Sequence, residues 1–200
     1  VGPANAFVSH ALENPFSELV DSVVRFAERS NKDPCEFFVW LDGFSLRRST
    51  EVHSMDLDFL SGTFRTVIEK CDVLLSVCEP WSRPVPLYRS WCIWELFCAL
   101  VSDTPCEVIL GSGQEKAFAK KLDAEGGHDV DGIIKLISNV LKSKAYNKQH
   151  QEMILSAVRS VSGEGQLQGA KLVNAKLDAL LRTLILDLST RLLDSNSDSK

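Results

Sequence analysis

An alternation constrains this chain more than any other feature. Short, nearly unbroken apolar runs are separated by longer segments whose apolar residues return every three or four positions. The short runs are AFVS at 6–9, CEFFVWLD at 35–42, CDVLLSVCEP at 71–80 and CEVILG at 106–111. Runs of this length without polar alternation predict strands buried on both faces, as in parallel sheets. Between the first two, Phe16, Leu19, Val20, Val23 and Val24 fall at helical spacing, with Pro15 at a favoured first-turn position. Residues 56–70 repeat the pattern with Leu57, Leu60, Phe64, Val67 and Ile68. The segment SWCIWELFCAL, 90–100, is apolar almost all round, as a core helix is. Strands alternating with such helices predict an open parallel sheet with helices on both faces, an α/β fold.

The rest of the chain continues in the same style. GFSLRRSTEVHS reads as a polar loop and WSRPVPLYR as a Pro-rich one. SGQEKAFAKKLDAEGG is a short helix ending at a Gly pair, and a fifth strand is expected around Lys135 to Val140. Asn147 to Val161 reads as a helix, and SGEGQLQG as a flexible break. Leu172 to Leu193 forms a long amphipathic helix with Val173, Leu177, Leu180, Leu184, Leu188 and Leu192 on one stripe. DSNSDSK is expected to be disordered. The resulting division is one domain over 1–165, a C-terminal helix over 166–194 and a disordered tail over 195–200. A chain of 200 residues suits one domain with a real core. Its first residue is Val, which suggests a piece of a longer protein.

Charge and cysteine usage narrow the function classes. The net charge is −5 and no long Lys/Arg run occurs, so no nucleic-acid partner is expected. No apolar run approaches the roughly 18–20 residues needed to span a bilayer, so no membrane partner is expected either. No secretory signal pattern is present. The six cysteines contain no CxxC pair and sit mostly in apolar segments, as buried reduced thiols of a cytoplasmic protein do. The histidines at 10, 53, 128 and 150 are scattered. No metal or cofactor is expected.

Several local patterns carry chemistry in other proteins. GSGQEK, 111–116, follows a strand and opens a helix, where backbone N–H groups can hold a phosphate. It lacks the Gly-Lys-Ser/Thr of a P-loop and reads as a plain strand-to-helix turn. A phospho-receiver needs acids at the end of the first strand, where Ser9 and His10 stand; only Asp42 and Glu79 end the second and third. Ser9 lacks the strained elbow of a nucleophile. The pair Trp91 and Glu95 is more informative. At i and i+4 they lie about 40° apart around a helix axis. Parallel sheets bind ligands beyond the carboxyl ends of their strands. Ser9, His10, the loop from Asp42 with Arg47 and Arg48, and the start of helix 90–102 all belong to that edge. Spacing alone leaves Glu95 either in a crevice or in a capping role beside core tryptophans.

Four motifs in order resemble the TIR domain family: AFVSH as its first strand, FFVWLD as its second, IEKCDVLLSVCEP as its third, and RSWCIWEL as its Ser-x-Trp-Cys-x-x-Glu-Leu region. They span residues 6–96. PWSRPVPLYRSWCIWELFCAL followed by CEVIL looks like a divergent TIR-like group found in large multidomain proteins of protists and algae. The resemblance implies a flavodoxin-like three-layer sandwich, with five parallel strands in order 2-1-3-4-5. It also implies a cytoplasmic signalling or defence role, including innate immunity, through self-association. Many TIR domains cleave NAD between nicotinamide and ribose. Their essential Glu maps to Glu95, with Trp91 beside it and Ser9, His10, Asp42, Arg47 and Arg48 around the substrate. One carboxylate near a ribose that develops oxocarbenium character stabilises that charge. An arginine at 47 or 48 would take the pyrophosphate. Other TIR domains are non-catalytic adaptors. For these the resemblance implies docking of another TIR-like domain through the 43–53 loop and the exposed side of helix 90–102.

Overall fold

The computed structural model describes residues 2–45, 57–124, 148–160 and 166–197. In chain order it holds β1 (Ala6–Ser9), α1 (Phe16–Arg29), β2 (Val39–Trp40), α2 (Asp42–Ser45), α3 (Leu57–Ile68) and β3 (Val73–Val77). A short 3-10 turn (Val85–Tyr88) precedes α4 (Ser90–Val101), β4 (Cys106–Ile109), α5 (Ser112–Ala124), α6 (Lys148–Ser160) and α7 (Gln166–Ser197). The strands form one parallel sheet in the order β2-β1-β3-β4. This order is compatible with a flavodoxin-like fold, but the sheet has four strands, not five, among the described residues. The fifth strand expected at 135–140 lies outside them.

Side-chain alternation along the strands divides the core. In β1, Phe7 enters one cluster while Ala6 and Val8 enter the other; in β3, Leu74 opposes Leu75 and Val77. The Phe7 side is the larger. It holds Ile68 of α3, Ile93 and Leu96 of α4, Phe118 of α5, Ile154 of α6, and Leu177, Leu181 and Leu184 of α7. Each fully buried side chain of this size stabilises the fold by about 1.5–3 kcal/mol relative to its exposed state. The other cluster is small. It pairs Ala6, Val8, Leu75, Val77 and Ile109 with Leu19 and Phe26 of α1 and with Leu41.

Three expectations need correction. The second strand shrinks from an eight-residue run to Val39–Trp40. It lies at the sheet edge, and Cys35 and Glu36 are exposed in a turn where the Cys35 N–H bonds the Asp33 carboxylate at 2.8 Å. The Asn5 amide oxygen, not a strand carbonyl, accepts the Phe38 N–H at 2.8 Å. The C-terminal helix starts at Gln166, within the stretch read as a break, and continues through Asp194 to Ser197, into the expected tail. Its buried stripe is Leu177, Leu181, Leu184, Ile185 and Leu188; Leu180 and Leu192 are only partly covered. That stripe completes the main core, and Arg191 donates to the Val108 carbonyl at 3.3 Å and pairs with Glu107. Finally, α4 has no exposed side of the kind expected for docking. It is buried or half-buried along its length except at Val101, because α3, α6 and α7 surround it.

Candidate functional site

The carboxyl edge of the sheet brings together Ser9, His10, Asp42 and Glu95, whereas Trp91 packs on Phe64 and His150. Arg47 and Arg48 lie outside the described residues. Ser9 ends β1, and its pleat directs the hydroxyl toward α4 rather than α1. Its Oγ donates to Glu95 Oε2 at 2.5 Å, joining the first strand to the fourth helix. Glu95 is 7% exposed. Burial pushes its carboxyl up to about 8; the Ser9 bond opposes that shift, and Asp42 adds to it. At neutral pH the group is therefore mainly a neutral acid. Its neighbour Cys92 donates to the His10 carbonyl at 3.3 Å, and burial holds the Cys92 thiol well above its ordinary range.

His10 and Asp42 face each other across the ends of β1 and β2, with Nε2 and Oδ1 3.9 Å apart. Burial lowers the His10 pKa more than Asp42 raises it, so the imidazole stays neutral at neutral pH. Asp42 opens α2, and its Oδ1 accepts the Gly43 N–H at 2.6 Å. Arg89, directly before α4, pairs with Glu13 and lies close enough to influence both His10 and Glu95. It is the cation the described residues place at this edge. Its position before a helix start was available in the sequence.

Trp91 does not stand as a free wall. Its indole N–H donates to His150 Nδ1 at 3.1 Å, and its ring meets Phe64 edge-on at 5.1 Å. Phe64 in turn meets Trp40 at 5.3 Å, and Trp40 stacks on Phe7 at 4.7 Å. The indole belongs to an aromatic chain running from β1 to α6. His150, a scattered histidine in the sequence, is its polar terminus.

A second buried carboxylate occupies the opposite face of the same edge. Glu79 follows β3 and is 0% exposed. Its Oε1 accepts the Ser22 hydroxyl at 3.0 Å and the Gly111 N–H, while Oε2 has no hydrogen-bond partner. Asp21 accepts the next N–H, that of Ser112, at 2.6 Å. Two carboxylates thus occupy the N–H groups at the entry to α5, where a negative charge is favoured. The first two N–H groups of the GSGQEK turn are therefore taken by the protein itself and are not open to a phosphate. Burial raises the Glu79 pKa, the Gly111 N–H counters it, and Glu18 adds to the rise.

Away from the carboxylates, α1, β2 and α2 border an open apolar groove of about 380 Å³. Phe16, Val20, Val24, Val39 and Phe44 line it and are 39% to 77% exposed, Phe44 most of all. The groove exists because α1, the helix packed on this face among the described residues, contacts β3 and β4 and leaves the β2 side open. The Phe16 and Phe44 rings lie 5.6 Å apart at one end.

Comparison with known protein families, curated proteins and solved structures finds no match to this chain. No helix among the described residues is long and apolar enough to cross a membrane.

Proposed function

We propose that this chain is a TIR-like interaction domain that acts by self-association in signalling or defence. The observation that carries this reading is the apolar groove between α1, β2 and α2. Five large apolar side chains stand together in solvent there, and a patch of this kind marks an interaction surface. The parallel sheet and the four motifs that resemble the TIR family support the same reading. The surface differs from the one the resemblance implies: α2, which opens the 43–53 loop, contributes Phe44, and α1 replaces helix 90–102. Sedimentation of the chain over a wide concentration range tests it. A rise in mass with concentration, abolished by Phe44→Glu, is expected. A monomer at every concentration would sink the reading.

One observation favours a second reading, NAD cleavage: the Glu95 carboxyl is at the strand ends, bonded to Ser9. The same observation also limits it. Ionised carboxylate is needed to stabilise a cationic ribose, and Glu95 ionises only near pH 8. Glu95 is buried, and the Trp91 indole that would wall a nicotinamide pocket is committed to His150 and Phe64. Nicotinamide release from NAD, followed from pH 6 to 9 beside Glu95→Gln, decides the matter. Turnover that climbs toward pH 8 and disappears in the variant supports the enzyme. No turnover at any pH leaves the interaction module alone.

A further inference from the structure

We propose that a single proton, carried on Glu79 Oε2 and donated to Glu18, latches the first turn of α1 to the end of β3, and that its loss releases that turn. Glu79 supplies the reason. Its side chain is fully buried, and its two donors, the Ser22 hydroxyl and the Gly111 N–H, both go to Oε1. Oε2 is buried with no donor beside it. An ionised oxygen removed from water without a donor is among the costliest arrangements a core can hold. A protonated carboxyl instead offers one acceptor oxygen and one O–H. The Glu18 carboxyl, in the first turn of α1, stands within hydrogen-bonding reach of Glu79. Two carboxylates in contact bring no donor between them, so one must hold a proton. Glu79 is the more deeply buried of the two, while Glu18 is half-buried at a helix N-terminus, where negative charge is favoured. Burial, opposed by the Gly111 N–H and reinforced by Glu18, raises the Glu79 pKa in keeping with this.

The neighbouring groups are engaged elsewhere. On α1, Asp21 accepts the Ser112 N–H and Arg25 pairs with Glu115 of α5. Before α1, Glu13 pairs with Arg89, and the Asn14 amide donates to the Glu79 carbonyl at 2.9 Å. At the end of β3, burial pushes the Cys78 thiol up to about 11, so it stays neutral. Among the described residues, the outside charge acting on Glu79 is that of Glu18, and no cation offsets it. The two halves of α1 are thus held by different chemistry. Arg25 and Arg29 tie the second half to Glu115 and Glu107 without a shared proton. Loss of the proton sets two negative charges in contact at the first half alone. Phe16 rides on the released turn, so it parts from Phe44 and one end of the groove widens, whatever the groove binds.

Amide hydrogen exchange reads the two halves separately. Glu79→Gln puts an NH2 donor where the proton stood and keeps the latch closed at every pH. Dividing the parent's exchange rates by those of this variant at one pH cancels base catalysis. Both chains carry Glu95→Gln, which silences the other buried acid. At pH 5 the ratio is expected to stay near one along α1. At pH 9 the amides from Leu19 to Ser22 are expected to exchange roughly tenfold faster or more in the parent, since each unit of pKa shift is a tenfold preference. Those from Phe26 to Arg29 are expected to keep a ratio near one. Glu18→Gln, at a half-buried position, gives Glu79 a permanent donor and is expected to move its carboxyl titration downward, followed by carbon-13 NMR. A ratio near one at pH 9, an equal rise in both halves, or a Glu79 titration unmoved by Glu18→Gln overturns the latch. A ratio that changes with EDTA or added calcium also overturns it, because a cation then fills the place of the proton.

Discussion

Glu79 and Glu95 are buried at the same edge of one sheet, yet they are held in different ways. Glu79 receives a backbone N–H from Gly111 and a hydroxyl from Ser22. It therefore ties α1, the end of β3 and the β4–α5 turn together. The hydrogen bond to Glu95 comes from the Ser9 hydroxyl. Removal from water raises both pKa values. The difference lies in what each would release if it were lost. A backbone donor cannot turn toward another partner, so removing Glu79 strands it. A serine hydroxyl can rotate, so removing Glu95 strands much less. Glu79 is a structural tie; Glu95 is a buried neutral acid at the mouth of the sheet.

The largest effect expected from this contrast is a pH dependence centred on Glu95. Its folded pKa of about 8 lies above the ordinary value of 4.5. The folded state then holds its proton more tightly than the unfolded chain does. The resulting stability is fully present below pH 4.5 and is lost as the pH rises through 8. The loss is roughly 3–5 kcal/mol if the shift is fully expressed. Urea unfolding of the parent and of Glu95→Gln, compared at pH 4.5 and 8.5, is expected to show the variant gaining relative stability at the higher pH. An identical pH dependence in the two chains would mean that the carboxyl is solvated and the contrast is false.

Next in size is the loss of the tie itself. Glu79→Ala strands the Gly111 N–H and empties a fully buried volume, at an expected cost of about 2–4 kcal/mol. Glu95→Ala at pH 7 is expected to cost less, because the proton and the burial penalty leave together. A reversed order in thermal unfolding would reverse the two roles. Gly111→Ala probes the same tie from the other side. An added Cβ would stand 2.9 Å from Asp21 Oδ2 and 3.0 Å from Glu79 Oε1. Both oxygens are fixed by the N–H groups they accept. The expected cost is about 1–2 kcal/mol.

The same two residues show what is legible in the sequence. Glu95 stands out because one acid within an apolar helix is conspicuous, and because its motif resembles a known one. The end of its strand places Ser9 at the same edge, and the Ser9 hydroxyl donates to Glu95 at 2.5 Å. Glu79 is visible only as an acid ending a strand. Its partners Ser22 and Gly111 are 57 and 32 residues away, and no local pattern announces such a meeting. The strands and helices near the sheet centre are readable because burial on both faces leaves a continuous apolar run. The short β2 is not, since CEFFVWLD is equally apolar whether it pairs or turns. The groove is unreadable for a related reason. Phe16, Val20 and Val24 have the spacing of a core ridge, and spacing cannot say which of two apolar ridges on α1 meets the sheet. Leu19, Ser22 and Phe26 do so instead.

The smallest effects test the donors alone. Ser9→Ala removes the hydroxyl bond to Glu95, and Ser22→Ala removes one of two bonds to Glu79. A single neutral hydrogen bond contributes about 1 kcal/mol, and less where a second donor stays. The single Ser22 proton is shared between Glu79 and the closer Glu18 carbonyl at 2.8 Å, a bond within its own helix, so its hold on Glu79 is partial. Ser9→Ala is therefore expected to shift the carboxyl titration of its partner more than Ser22→Ala does. The shift should be upward, because the Ser9 hydroxyl favours the ionised form of Glu95. Carbon-13 NMR of the two carboxyl groups across pH 4 to 9 reads this directly. If Ser22→Ala moves Glu79 further than Ser9→Ala moves Glu95, the Gly111 N–H is not the dominant hold on Glu79. The two carboxylates would then be alike in kind and differ only in depth.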